Sequence, residues 1–210
     1  MPPLNPIRHD MITVCQRLYQ QGFIVGTEGN VSVRVGLDRV CITPSGYHKG
    51  FMRPADLLLV DLDGQVCFGQ GQPSSETPMH LMLYRCRSDV QAVVHAHPPI
   101  ATALTVAGYD LATTLLPEAV VALGQVPTVP YQMPTTWAFA AAVSEAMQDA
   151  TAALLENHGS VTVGHSLQAA FNAMETVERT AQIFYLATAM GQVRALPPEA
   201  LDALRLLRQG

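Results

Sequence analysis

The stretch AVVHAHPP, Ala92 to Pro99, puts two imidazoles two residues apart at the end of an apolar run. Side chains alternate between the faces of a strand, so His95 and His97 are expected to point the same way, with Ala96 opposite. Two neutral imidazoles on one face can grip a single ion. Zinc takes N, S and O ligands, four in a closed site, and a catalytic zinc keeps one position open. From this pair alone, metal ligation and two hydrogen-bonded core histidines stand level. Two further residues shift the balance. His158 lies in LLENHGSVTVG, at the tip of an apolar strand and before a glycine that permits a tight turn. Glu76 lies in PSSETP, where a loop enters a helix. Three imidazoles and one carboxylate form a common zinc set. His80 competes, one helical turn from Glu76, but ranks below His158 because nothing in the sequence puts it on the side of the sheet that carries His95. His9, His48 and His165 read as ordinary loop or surface histidines. A cupin also carries HxH but expects a glutamate a few residues later, whereas here the next carboxylate is Asp110.

Three polar loops suggest a second function. Gly26-Thr27-Glu28-Gly29-Asn30 precedes a strand, Thr43-Pro44-Ser45-Gly46 follows one, and Ser74-Ser75 stands before a helix. Glycines let backbone N–H groups approach an anion, and hydroxyls and amides complete the grip. A helix N-terminus adds favourable potential for phosphate. Singly, each loop reads as an ordinary turn. Beside a zinc-ligand set, the three together read as a phosphate pocket.

These residues need a scaffold. Ile7 to Gln21 has helical apolar spacing with Gly22 as its stop. Val31 to Val35 and Val40 to Thr43 read as a strand pair, and Leu57–Asp61 and Gln65–Phe68 flank the turn dipeptide Asp63-Gly64. A helix is expected from about Ser75 to Cys86, a buried strand over Val90–His97, and a helix over Pro99–Val106. Val120 to Tyr131, broken by Gly124, Pro127 and Pro130, reads as short strands and turns. An Ala-rich helix follows over Thr136–Gln148, then strands Ala152–Leu155 and Ser160–Val163. A long helix capped by Ser166 reaches about Met190, and a last helix starts at Pro198. Several strand pairs are joined too tightly to be parallel. The expected fold is α/β, three-layer αβα: a central, mainly antiparallel mixed sheet flanked by helices on both sides. No repeat, linker or boundary divides residues 1–210, which read as one domain.

Composition narrows the function classes. The chain has 210 residues, 49% hydrophobic and 14% charged, with net charge −5. That suits a compact α/β or oligomeric protein, and with no basic run it argues against nucleic acid. No apolar run reaches the about 18 residues of a membrane helix, and MPPLNPIRHD lacks the apolar core of a signal peptide. Four cysteines without CxxC spacing fit a reducing cytoplasm as buried free thiols.

GTEGNVSVR, ITPSG, PSSETPMH, AVVHAHPP and LLENHG, in that order and spacing from about residue 7 to 190, together resemble the class II aldolase/adducin family. The resemblance implies zinc (manganese or cobalt as substitutes) held by His95, His97 and His158, with Glu76 as a fourth, movable ligand. It implies a phosphate site of Thr27, Gly29, Asn30, Ser45, Gly46, Ser74 and Ser75. It also implies a homotetramer with active sites at subunit interfaces. The implied activity is cleavage of a ketose 1-phosphate, with a fuculose-like, 5-deoxyribulose or methylthioribulose skeleton, to dihydroxyacetone phosphate and an aldehyde. Glu76 would move protons at the phosphate end. Dehydratase, decarboxylase and 4-epimerase activities occur on the same scaffold, and adducin-like members bind and assemble instead. The Schiff-base route of other aldolases needs a lysine, and only Lys49 is present.

The sequence departs from the family twice. Glu28 stands where many relatives carry a small residue, and a carboxylate beside a phosphate repels it unless it points away. The family's fuculose-phosphate aldolases use a tyrosine as acid for the leaving aldehyde, and Leu116 falls near that position here. Glu118 is the candidate replacement. Leu115 and Leu116 suggest an apolar aldehyde tail.

Overall fold

The computed structural model describes residues 4–209. Eight strands make one sheet: β1 (Asn30–Arg34), β2 (Arg39–Ile42), β3 (Leu58–Asp61), β4 (Val66–Phe68), β5 (Ala92–Ala96), β6 (Thr128–Val129), β7 (Ala152–Leu155) and β8 (Gly159–Gly164). Their order is β4-β3-β2-β1-β5-β8-β7-β6. Every pair is antiparallel except β6 with β7. The helices are α1 (Leu4–Gln20), α2 (Thr77–Cys86), α3 (Pro99–Val106), α4 (Pro117–Ala122), α5 (Trp137–Ala146), α6 (Leu167–Ala189) and α7 (Pro198–Gln209).

Strand alternation builds two cores. Val31, Cys41, Leu59, Ala92, Val94 and Ala96 face α1 and α6. Val40, Ile42, Val60, Val93, Val161 and Val163 face α2 and α5. β7 turns Ala152 and Leu154 toward α3 and α6. The result is the three-layer αβα arrangement that the pattern predicts. All five residues of β5 are buried, as expected of a central strand covered on both faces. His95 follows Val93 by two residues, so it faces α2 and α5. Thr136 and Ser166 cap α5 and α6 through hydroxyls that accept from Phe139 N and Ala169 N, both at 3.1 Å. Each cap stabilises by about 1 kcal/mol.

One stretch differs from expectation. Val120–Tyr131 reads as short strands and turns, but its start belongs to α4, and only Thr128–Val129 pairs as a strand. Pro117 opens that helix at its first position, where its missing N–H is not needed. Six residues are too few for a helical period to show. The cysteines also divide: Cys15 and Cys41 are buried, whereas Cys67 and Cys86 are exposed, all with free thiols. Burial pushes the Cys15 thiol up to about 12 and that of Cys41 to about 11, which makes both inert. No described helix is long and apolar enough to cross a membrane.

Candidate metal centre and anion-binding loops

Three imidazoles meet where β5 ends. His95 is the fourth residue of β5, paired with Asn30 on β1 and Val161 on β8. His97 lies just past the strand and keeps the alternation. His158 sits in the turn joining β7 to β8, which Asn157 enters with φ +54°. The ring centroids are 4.8–5.0 Å apart, with planes inclined by 64–66°, and one nitrogen of each ring lies within 4.8 Å of the others. Gly159 makes the approach possible, because a Cβ there would lie 2.5 Å from Ala96 O and 2.7 Å from His97 Cδ2.

The hydrogen bonds fix which nitrogens face inward. His95 Nδ1 donates to Ser160 O at 2.9 Å, so its Nε2 carries the lone pair when the ring is neutral. His97 Nδ1 lies 3.2 Å from the Glu28 carboxylate, which can only accept, so its Nε2 also carries the lone pair. These two Nε2 atoms stand 3.1 Å apart. Two facing lone pairs repel unless a cation or a proton lies between them. Glu76, just before α2, adds its carboxylate: Oε2 is 3.1 Å from His95 Nε2 and Oε1 is 3.4 Å from His158 Nε2. Oε1 is buried with no hydrogen bond of its own. The donor set is three imidazole nitrogens and one carboxylate, with an oxygen that lacks a partner. It fits a borderline divalent cation such as zinc.

Charge follows the same geometry. Burial alone would raise the Glu76 carboxyl, but His95, Asn30 and His158 together hold it well below the usual carboxylate range. Burial would lower His95, but Glu76 beside it more than offsets this and raises it. Burial, reinforced by His95, lowers His158 to about 4 and also depresses His97.

His80 corrects the sequence reading. It does lie on the His95 side of the sheet, fully buried, one layer behind the ligands. The ionised Glu76 can only accept, so Asn30 Nδ2 donates to its Oε2 at 2.8 Å. Asn30 Oδ1 must then accept from His80 Nε2 at 2.5 Å. His80 Nδ1 accepts from Ser32 Oγ at 2.6 Å, and Ser32 Oγ accepts from the Tyr84 hydroxyl at 2.8 Å. Burial drives His80 down to about 3, so the ring stays neutral, as this one-directional chain requires. The sequence held the signal. Glu76, His80 and Tyr84 recur every four residues on one helical stripe, and Asn30 and Ser32 share one strand face.

The three polar loops come together. Ser45 N donates to Gln72 O at 2.9 Å and Ser74 N to Thr43 O at 3.1 Å, around a bridge between Pro44 and Pro73. Lys49 ties in the first loop: its buried ammonium donates to Thr27 O (3.0 Å), Pro44 O (3.3 Å) and Tyr47 O (2.8 Å). Those bonds occupy all three N–H donors, so Lys49 braces the loops and is no free nucleophile. Thr27, Ser45, Gly46 and Ser75 are exposed, whereas Gly29, Asn30 and Ser74 are buried. Both polar ends of Asn30 are committed to Glu76 and His80.

Two supports escape the sequence. Glu178 on α6, buried to 1% exposure, accepts from Ile100 N (3.0 Å) and Ala101 N (2.8 Å). It caps α3, where Pro98 cannot, and so fixes the segment after His97. Phe139 of α5 packs against His158 at 5.7 Å between centroids. Glu118 stands exposed in the first turn of α4, and among the described residues no hydrogen bond or ion pair links it to the cluster.

The chain is similar to known proteins over most of its length. The profile of the Class II Aldolase and Adducin N-terminal domain matches residues 9–185. The 5-deoxy-D-ribulose 1-phosphate aldolase of Bacillus thuringiensis serovar kurstaki is 34% identical over 204 residues, 96% of this chain and 94% of that protein. The 3-oxo-tetronate 4-phosphate decarboxylase of Escherichia coli is 36% identical over 184 residues, 86% of each chain. Among solved structures, an L-fuculose 1-phosphate aldolase superposes with TM-score 0.89 at 31% identity, covering 98% of this chain and 97% of that one. The chain thus belongs to the class II aldolase and adducin family.

Proposed function

We propose that the chain is a divalent-metal lyase acting on a sugar phosphate, specifically a zinc aldolase that splits a ketose 1-phosphate into dihydroxyacetone phosphate and an aldehyde. The observation that carries this is the convergence of His95, His97, His158 and Glu76 beside the three joined loops. A cation bound there supplies Lewis-acid stabilisation of negative charge developing on a substrate oxygen; manganese or cobalt also suits the donor set. The loops at Thr27, Gly29, Asn30, Ser45, Gly46, Ser74 and Ser75 bind the phosphate through backbone N–H groups and hydroxyls. Lys49 adds positive charge beneath them. Glu76, kept ionised, takes and returns a proton at the phosphate-bearing end. Glu118 takes the proton of the C4 hydroxyl as the C3–C4 bond breaks and that carbon becomes the aldehyde carbonyl, while C3 receives its proton at the Glu76 end. It makes no link to the cluster of its own chain, which suits a homotetramer with sites at subunit interfaces.

Decarboxylation of an oxo-sugar-acid phosphate is the second reading, favoured by the Escherichia coli relative. Mass spectrometry decides between them. Zinc-loaded protein receives fuculose 1-phosphate, 5-deoxyribulose 1-phosphate, methylthioribulose 1-phosphate and 3-oxo-tetronate 4-phosphate. Dihydroxyacetone phosphate plus an aldehyde is the expected result and names the tail. A product lighter by one water would mean a dehydratase, and loss of carbon dioxide a decarboxylase. A protein that takes up no metal and turns over nothing would be a binding module.

A further inference from the structure

Glu28 is the residue that departs from the family pattern, and its side chain lies against the metal cluster. We propose that Glu28 positions the metal ligand His97, its carboxylate holding the ring with Nε2 turned into the cluster. The inference rests on the metal-site reading above.

His97 needs such a partner. It lies beyond the last residue of β5, so sheet pairing does not set its ring. Its backbone N–H donates to Phe23 O at 2.8 Å, and its Nδ1 meets Glu28 Oε2 at 3.2 Å. The carboxylate is itself fixed, because Oε1 accepts from Val25 N at 2.6 Å. The neighbouring Gly29 presses the loop onto the strand end: with φ +67°, a Cβ there would lie 2.5 Å from Ile24 Cγ2 and 3.1 Å from His95 O. Backbone and ring of His97 are therefore both tied to residues 23–28. The other ligands differ. His95 is oriented by the Ser160 carbonyl, and His158 Nδ1 is buried without a partner. His97 alone of the three has a carboxylate on its outer nitrogen. This geometry also answers how a carboxylate is tolerated beside a phosphate loop, since both its oxygens are already engaged.

The alternative is an ion pair of a partly exposed loop that contributes nothing to metal binding. Zinc titration against a chelator of known affinity, with cobalt absorption as a second readout, separates the two. Wild type, Glu28→Ala and Glu28→Gln are compared. Glu28→Ala is expected to weaken metal binding about 10–100-fold. Glu28→Gln should recover only part of that, since its single amide oxygen can accept from His97 Nδ1–H or from Val25 N–H but not from both. Urea unfolding of the chelated proteins should be the same for all three. Undiminished affinity in Glu28→Ala, with wild type binding metal, overturns this inference alone. A changed cobalt coordination number in Glu28→Ala overturns it in favour of direct ligation. No uptake by wild type removes the metal reading and this inference with it.

Discussion

Ser32→Ala tests the buried chain behind Glu76. Ser32 is fully buried, and its hydroxyl serves both neighbours, accepting from Tyr84 and donating to His80. Removing it strands the Tyr84 O–H and the His80 Nδ1 together. A buried polar group left without a partner costs about 1–3 kcal/mol, so the two together cost about 4 kcal/mol. Tyr84→Phe leaves the contact between Ser32 and His80 intact and costs about 1–2 kcal/mol. The double variant no longer has a Tyr84 hydroxyl to strand, so only His80 Nδ1 remains orphaned, at about 2–3 kcal/mol. The double variant is thus less destabilised than the sum of the singles by about 2–4 kcal/mol.

The assay is urea unfolding followed by circular dichroism at pH 7.5, with a chelator present so that metal binding adds nothing to stability. Additivity within about 0.5 kcal/mol would refute the linked chain, and so would a Ser32→Ala cost below about 1 kcal/mol. A second consequence reaches the metal. Without the Ser32 donor, His80 can take the other tautomer. His80 Nε2 would then compete with the Glu76 carboxylate for the Asn30 amide nitrogen, and metal affinity should fall about 10–100-fold.

Three further outcomes follow from the geometry. Gly159→Ala drives a Cβ into Ala96 O and His97 Cδ2; it should cost about 1–3 kcal/mol in urea unfolding and weaken zinc uptake, and wild-type values for both would show that the turn yields. Metal affinity should rise with pH through and above His95's ordinary pKa, 6.5. Glu76 holds a proton on His95 past that point, whereas His158 and His97 are already neutral there. Calorimetry in buffers of different ionisation enthalpy should then register proton release on binding, and a flat profile would be contrary. Glu118→Gln should lower turnover about 100-fold, the scale of general acid–base catalysis, with metal content unchanged; unchanged turnover would remove Glu118 from the reaction.

Much of the fold is legible because neighbouring residues suffice to encode it. Asp63-Gly64 marks its hairpin, Ser166 its helix, and the alternation in Val93-Val94-His95-Ala96 the two faces of β5. α4 is not legible, since its only local mark is Pro117 and its helical character comes from packing against α6 and α7. The histidine cluster proposed to hold the metal is legible for the same reason as the hairpins: HxH and NHG each carry their own geometry. The support of α3 by Glu178 is not, because 77 residues separate donor from acceptor.

His80 shows where a local reading fails. Periodicity gives the face a residue takes on its own helix, but which side of the sheet that helix covers is set by connections far along the chain. Once α2 lies over β1 and β5, one stripe of α2 must meet the strand face bearing Asn30, Ser32 and His95. A polar stripe in that place cannot remain unpaired, because burial without partners costs more than the fold can absorb. The polar groups of His80 and Tyr84 and one oxygen of Glu76 therefore had to find counterparts on β1, and one route satisfies them in turn with a single hydrogen-bond direction. That route ends on Glu76. The layer that packs α2 onto the sheet is thus also the layer that sets the orientation of the carboxylate in the proposed metal centre.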